Sequence, residues 1–304
     1  MTGVDGFVGQ YLMPSLEATG HTVAGCDRDT IDIRDARALR QVLSEFAPDA
    51  VIHLAAISFI PGAAAEPELT EQINIGGTQN LVDGMLAVCP DARLLQVGSS
   101  EQYPSTNVAA PPLSEESPLT GSGAYAESKT AAENVVLEAA EKGLDVVRVR
   151  AFNHTGPAQP PHFVVPDFSR QIAMIEAGAP PRIQVGNLES VRDFLHVRDV
   201  VDAYTRLLDP QVPANVYNVA SGRATRIAEV LDILLEMSDV PISVEVDPKK
   251  WRESDSRVGD NRRLRQHTQW EPRCSVRDIL DELLTYWRQA VAPHAKSDSA
   301  GEHS

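Results

Sequence analysis

Thr2-Gly3-Val4-Asp5-Gly6-Phe7-Val8-Gly9 stands almost at the amino terminus, and its reading decides the fold. Counted from Gly3, glycines occupy the first, fourth and seventh places. The first permits a tight turn, the second lets the backbone approach a pyrophosphate, and the third allows a helix to pack closely on a sheet. A helix starting directly after such a turn offers free N–H groups and its positive dipole end to phosphates. Residues 10–19, with Tyr11, Leu12 and Leu16 at helical spacing, supply that helix. Three glycines alone are a weak signal, because any surface turn can carry them. The stretch that follows strengthens it. Residues 21–26 read as a strand and Ala36–Phe46 as a helix, and Ala50-Val51-Ile52-His53-Leu54-Ala55-Ala56 is a continuous apolar strand. A helix over about 68–88, a strand over 93–97, the helix bearing Tyr125 and Lys129, and a strand over 145–149 complete the alternation. Unbroken apolar strands between helices predict a parallel sheet covered on both faces. The fold class is therefore α/β, a doubly wound, Rossmann-like parallel sheet. One feature departs from that pattern. The glycine turn should follow a strand, yet only Met1 and Thr2 precede it. The first strand is expected to be missing, its neighbours to carry unpaired ladder groups, and the chain to be poorly stable.

At 304 residues the chain has room for one large domain or two modest ones. Residues 1–152, with 193–220 returning to them, are predicted to form a dinucleotide-binding domain. Residues 153–192, richer in Pro, Gly and His, and 221–292 are predicted to form a smaller, partly interleaved α/β substrate domain. The polar stretch 293–304 has no period and is expected to be a disordered tail.

Composition narrows the partners. A formal charge of −16 argues against nucleic acid or an anionic membrane surface. It does not exclude a phosphorylated ligand held by local arginines and backbone N–H groups. No apolar run reaches the ~18 residues of a spanning helix, and no secretion signal opens the chain. Cys26, Cys89 and Cys274 are odd in number and far apart, which predicts no disulfide framework and a cytoplasmic location. No Cys or His spacing suggests a metal site; His53 reads as core, and His154 as part of a pocket loop.

Asp27 lies roughly 20 residues beyond the glycine turn, where an acid would accept from ribose hydroxyls and favour NAD(H). Its neighbour Arg28 would instead hold the 2′-phosphate of NADP(H), and guanidinium–phosphate pairing tips the balance slightly that way. Two solvated loop charges are the plainer alternative. Asp32 and Ile33 are expected along the adenine.

Tyr125-Ala126-Glu127-Ser128-Lys129 places Tyr125 and Lys129 on one helix face. A free tyrosine has a pKa of about 10, too high for ready proton exchange near neutrality. A neighbouring ammonium is expected to lower it. This spacing is common by chance, but here it follows a glycine turn and a strand ending Val97-Gly98-Ser99-Ser100. A serine at that strand end can donate to a carbonyl oxygen.

Together, the glycine turn, His53-Leu54-Ala55-Ala56, Asn74-x-x-Gly77-Thr78, Ser99 and Tyr125-x-x-x-Lys129 resemble the extended short-chain dehydrogenase/reductase family. The resemblance runs to about Trp287. It implies that Ser99 polarises the substrate oxygen, Tyr125 passes the proton, and Lys129 binds the nicotinamide ribose. It also places Gly3, Gly6, Phe7, Val8, Gly9, Leu54, Ala55 and Ala56 against an NADP(H) or NAD(H) cofactor, and implies a homodimer through the helices around 68–88 and 123–141. Phe152-Asn153-His154-Thr155-Gly156-Pro157, the run from Val185 to Phe194, Val216-Tyr217-Asn218-Val219 and Gly259-Asp260-Asn261 look like the GDP-sugar branch, which holds 4,6-dehydratases and 4-ketosugar reductases. Ser100, Asn153, Arg192 and Arg252 are then expected on the substrate, with Lys249 and Lys250 nearby. For Arg192, the structural alternative is an ion pair with Asp193 or Glu189. Glu101 is the candidate extra base of a dehydratase. Asn153-His154-Thr155-Gly156-Pro157, however, resembles the reductases, where dehydratases read Asn-His-Glu-Ser-Pro. The favoured activity is reduction of the C4 ketone of a GDP-4-dehydro-6-deoxy-sugar, giving GDP-D-rhamnose. GDP-mannose 4,6-dehydration, another nucleotide-sugar dehydratase or epimerase activity, and an inactive cofactor-binding scaffold are the alternatives. Pro104 and Gln269 depart from the family by standing where glycines are usual.

Overall fold

A computed structural model describes residues 1–107 and 110–295. The glycine turn runs into helix α1 (Gly9–Ala18), which buries Leu12 and Leu16. Residues 21–25 are not a strand; only Cys26 pairs, in a single parallel bridge to Thr2. The reason is the extent of the partner: Met1 and Thr2 are the residues that lie beside it before Gly3 turns the chain. Those two residues nonetheless occupy the central position. Thr2 bridges Cys26 on one side and His53 on the other, and the Met1 ammonium donates to Ala24 O at 2.7 Å.

Helix α2 (Ala36–Phe46) begins where Asp35 accepts from Arg37 N and Ala38 N, satisfying donors left free at a helix start. It ends at Ala47 in the left-handed region and leads to strand β1 (Ala50–His53). Next come α3 (Ile60–Ala65), α4 (Pro67–Glu71), a π-helical turn (Gln72–Gly76) and α5 (Gly77–Val88). The helix expected over 68–88 is thus interrupted by a wide turn that carries Asn74. Strand β2 (Arg93–Ser99), helix α6 (Ala124–Glu141) and strand β3 (Val146–Ala151) follow.

Beyond β3 come β4 (Asn153–Thr155), α7 (Val164–Glu176), β5 (Arg182–Val185), β6 (Val191–Arg192), β7 (Phe194–His196) and α8 (Val197–Leu207). The rest is β8 (Val216–Val219), β9 (Thr225–Arg226), α9 (Ile227–Glu236), β10 (Ser243–Val246), β11 (Ser256–Arg257), α10 (Arg262–Thr268) and α11 (Val276–Ala295). Residues 293–295, expected in a tail, continue α11; 296–304 lie outside the described residues.

The main sheet is parallel, in the order β1-β2-β3-β8. Helices cover both faces, so the strands bury apolar side chains on both, while β3 also turns Arg148 and Arg150 toward α6. One buried cluster joins Leu12, Ile52, Val147, Val149, Tyr204, Leu207 and Trp270; a second, on the opposite face, joins Leu39, Val51, Leu81, Met85, Leu94 and Val136. A third cluster, separate from these, packs α7, α9 and α11 around Phe168, Ile172, Leu231, Leu234 and Leu283. β8 brings residues 216–219 back to the main sheet, while β5, β6, β9, β10 and β11 form small sheets of their own. Among the described residues, no helix is long and apolar enough to cross a membrane.

Candidate active site

The glycine turn closes on itself and on the next strand. Gly3 has φ +72°, and a Cβ there would lie 2.8 Å from Ala55 N. Its N–H donates to Cys26 O at 2.8 Å. A Cβ on Gly9 would lie 2.4 Å from both Gly3 O and Val4 O, so the start of α1 can approach the turn only as glycine. No side chain caps that helix start. The groove therefore fits a dinucleotide pyrophosphate: glycines leave the backbone of the turn uncovered by side chains, and the helix dipole favours an anion. Phe7 lies nearly parallel to His154 (5° between planes, centroids 6.2 Å), and Tyr11 donates from its hydroxyl to Pro157 O at 2.8 Å. The loop after β4 thus roofs the turn.

A buried polar chain runs behind the turn. Ala55 N donates to Thr2 Oγ1 at 3.2 Å, and Thr2 Oγ1 meets His53 Nδ1 at 2.8 Å. His53 Nε2 meets Thr78 Oγ1 at 3.0 Å, and that hydroxyl donates to Asn74 O at 2.6 Å. With the Thr78 proton so committed, the ring is protonated at Nε2 and accepts at Nδ1. Burial first, then the charges of Lys129 and the amino terminus, push the His53 pKa down to about 3. His53 is core, as its sequence setting suggested.

Ser99 ends β2 and caps a short turn (Ser100–Gln102); its Oγ accepts from Glu101 N at 3.2 Å. Tyr125 and Lys129 lie on the buried face of α6. Burial pushes the Tyr125 pKa up to about 12; the hydrogen bond from Ser99 pulls it down, and the Glu101 charge raises it. The expected lowering by Lys129 is absent. The Lys129 ammonium instead donates to Val97 O at 2.9 Å, and burial lowers its own pKa to about 8. Asn74 ties the neighbouring segments together, accepting from Ile57 N at 2.8 Å and donating to Ile57 O at 3.1 Å and Ser128 Oγ at 3.0 Å.

The remaining residues divide. The Asp27 carboxylate accepts from Asp29 N at 3.0 Å and faces that of Asp5; this contact holds Asp5 above, and Asp27 below, the usual carboxylate range. Arg28 is exposed beside it. Asp32 is gripped by Arg34, and the Ile33 side chain packs in the core against Gly77. Ile33 can face the groove only with its backbone. Ser100 is buried, and Asn153 Oδ1 is a buried acceptor without a hydrogen-bond partner among the described residues. Arg192 pairs with neither Asp193 nor Glu189. Asp193 is consumed by Ser221 N, Ser221 Oγ, Gly222 N and Gly259 N, so Arg192 binds Asp255 at 2.7 Å. Arg252 and Lys249 are exposed; Lys250 pairs with Asp167 at 2.7 Å.

Two side chains gave no signal in the sequence. Arg257, buried on β11, binds Glu101 Oε1 at 3.2 Å, Asp255 Oδ2 at 2.9 Å and Ser105 Oγ at 2.9 Å. Gln102 Oε1 accepts from Ser99 N at 2.8 Å. Glu101 and Ser105 are distant in sequence from Arg257 and leave no local pattern to read, whereas Gln102 lies three residues from Ser99 and its only hint is a polar residue near the serine pair.

Known proteins share this sequence and fold. Residues 29–283 match the family model described as GDP-mannose 4,6 dehydratase. The chain belongs to that family. It is 35% identical to GDP-6-deoxy-D-mannose reductase from Pseudomonas aeruginosa over 96% of this chain and 97% of that protein. It is 28% identical to GDP-mannose 4,6 dehydratase 2 from Arabidopsis thaliana over 93% of this chain and 85% of that one. A solved structure of RMD from P. aeruginosa complexed with NADPH superposes with a TM-score of 0.86 at 34% identity, covering 95% of this chain and 98% of that chain. The Thermus thermophilus UDP-glucose 4-epimerase complex with NAD reaches 0.84 at 25% identity, over 95% of this chain and 98% of that one. The fold is that of the extended short-chain dehydrogenases/reductases.

Proposed function

We propose that this chain is a 4-ketosugar-nucleotide reductase, converting GDP-4-dehydro-6-deoxy-D-mannose to GDP-D-rhamnose with NADPH or NADH. The observation that carries the choice of reduction is the Glu101–Arg257 ion pair. A dehydratase needs a carboxylate free to take the C5 proton, and here that carboxylate is held by a buried guanidinium. The long match to the P. aeruginosa reductase points the same way.

In this reading the cofactor supplies a hydride to C4. Gly3, Gly6, Phe7, Val8 and Gly9 receive the pyrophosphate, Asp27 or Arg28 the adenosine ribose, and Leu54, Ala55 and Ala56 the opposite wall. Ser99 Oγ accepts from Glu101 N, and its proton, which otherwise faces Tyr125, can turn to the C4 oxygen. Tyr125, protonated because its pKa stands at about 12, donates the proton as negative charge develops on that oxygen. Lys129 contacts the nicotinamide ribose; turning its ammonium from Val97 O toward Tyr125 would ease the donation. Asn153, Arg192 and Arg252 hold the GDP-sugar, in a domain of residues 153–192 and 221–292. A cytoplasmic homodimer through α5 and α6 completes the proposal, and exposed Leu137 on α6 is apolar surface such an interface would cover.

Parallel incubations test it. NADPH is expected to be oxidised with GDP-4-dehydro-6-deoxy-D-mannose, while GDP-mannose with NADP yields no 4-keto product; the reverse pattern overturns the assignment. Glu101→Gln is expected to change kcat by no more than about threefold, whereas loss of a true general base costs roughly 10²-fold or more. Steady-state rates of the two proteins separate these outcomes.

A further inference from the structure

Gln102 is fully buried, yet it is polar, and both ends of its carboxamide are spoken for. Oε1 accepts from Ser99 N at 2.8 Å, and Nε2 donates to Glu133 Oε2 at 2.6 Å. Room for this folded-back side chain exists only because residue 98 is glycine, where a Cβ would lie 2.3 Å from Gln102 Oε1. Glu133 sits on α6 four residues beyond Lys129 and eight beyond Tyr125, and it is buried as well. Arg150 on β3 grips it with two bonds, Nε to Oε2 at 3.0 Å and Nη2 to Oε1 at 2.7 Å, and Arg148 adds a third at 3.2 Å. Burial alone would raise the Glu133 pKa; the bonds and charge of Arg150 overrule it and hold the carboxyl below its usual range. Arg150 is itself fixed by Tyr103 Oη at 2.9 Å and Glu115 O at 2.9 Å, and Tyr103 Oη donates to Asn218 Oδ1 at 2.7 Å on β8.

The chain of bonds therefore runs from the backbone of Ser99 to the helix that carries Tyr125 and Lys129, and on to β3. Ser99 and Tyr125 belong to different elements, and a proton donor and a polarising hydroxyl must meet one oxygen within about 3 Å. An apolar residue at 102 would pack there equally well but would leave Ser99 N–H unpaired and the strand end free to shift. Positional errors of about 1 Å can cost roughly 10²-fold in rate.

We infer that Gln102 is a positioning residue for the reduction: with Glu133 and Arg150 it clamps the Ser99 end of β2 onto α6 and so sets the separation of Ser99 from Tyr125. The inference rests on the reading of Ser99 and Tyr125 given above.

The test uses the full chain, NADPH and GDP-4-dehydro-6-deoxy-D-mannose. Gln102→Met keeps the volume and removes both bonds. The clamp predicts a fall in kcat of roughly 10-fold or more, with KM and the NADPH dissociation constant (by fluorescence titration) within about twofold of the parent. A role in folding alone would lower the melting temperature and leave kcat unchanged at temperatures where both proteins are folded. Rescue supplies the second arm. In Gln102→Glu with Glu133→Gln, the carboxylate accepts from Ser99 N and from the new amide at 133, so the two bonds of residue 102 are re-formed, while Arg150 keeps its bond to the Oε1 side and loses the one to Oε2. This pair is expected to recover kcat relative to Gln102→Glu alone, in which two carboxylates face each other. A folded Gln102→Met protein with parental kcat overturns the inference. Should that variant not fold, failure of the exchanged pair to exceed Gln102→Glu overturns it. A parent chain that does not reduce the ketosugar at all refutes the functional reading instead, so the two failures are distinct.

Discussion

Replacing Tyr125 by Phe is expected to lower turnover by roughly 10²–10⁴-fold, the usual contribution of a positioned proton donor, while NADPH binding stays within about twofold of the parent. The phenol ring of Tyr125 is buried on α6, so phenylalanine keeps the packing and removes only the hydroxyl. That hydroxyl lies near enough to Ser99 to be influenced by it and, with its pKa pushed up to about 12, keeps its proton at neutral pH until charge develops beside it. Burial is the dominant cause of that high value, so the donor is protonated in the free protein and needs no tuning to be so. Its reprotonation after turnover is where Lys129 is expected to matter, because an ammonium moved beside the phenolate stabilises it. Stopped-flow rates of NADPH oxidation, with fluorescence titration of the cofactor, measure the two effects separately. Turnover within threefold of the parent would remove Tyr125 from the chemistry.

The second large effect is expected at Gly9. An alanine Cβ there would come within 2.4 Å of Gly3 O and Val4 O, both backbone atoms that cannot swing aside as a side chain can. The turn must open to admit it, and overpacking of this kind costs about 1–3 kcal/mol. If that strain falls on the bound conformation, Gly9→Ala weakens NAD(P)H binding by between about 5-fold and about 150-fold. Isothermal titration with NADPH and with NADH reads the loss. Equal affinity in parent and variant would show that the pyrophosphate does not lie on this turn.

How far the sequence was legible depended on whether partners lay close along the chain. The glycine turn, the apolar β1 and β2 and the Tyr125–Lys129 spacing are local patterns, and each appears where it was expected, although β1 stops at His53 and leaves Leu54, Ala55 and Ala56 outside the strand. The strand expected over 21–26 failed because a strand exists only with a partner, and Thr2 offers Cys26 a single bridge. The π-helical turn at Gln72–Gly76 was hidden because its cause is tertiary: Asn74 reaches across to Ile57 and Ser128. The same holds for charge. Arg192 was expected on the substrate, with an ion pair to a neighbour one or three residues away as the alternative; its pairing is with Asp255, and Asp255 in turn shares Arg257 with Glu101. A cluster assembled from 101, 192, 255 and 257 has no signature in any one segment, yet it bears directly on the choice between reduction and dehydration.

The central claim is hydride delivery to C4 of a 4-ketosugar, and isotope transfer tests it most directly. The chain is incubated with GDP-4-dehydro-6-deoxy-D-mannose and NADPH carrying deuterium at nicotinamide C4, each face in turn, and the sugar product is examined by mass spectrometry and NMR. One of the two labelled cofactors is predicted to give a 6-deoxy sugar one mass unit heavier, with the deuterium on C4 and one cofactor oxidised per product. A product without deuterium at C4, or a 4-keto sugar formed from GDP-mannose with no net change in cofactor, would contradict the account.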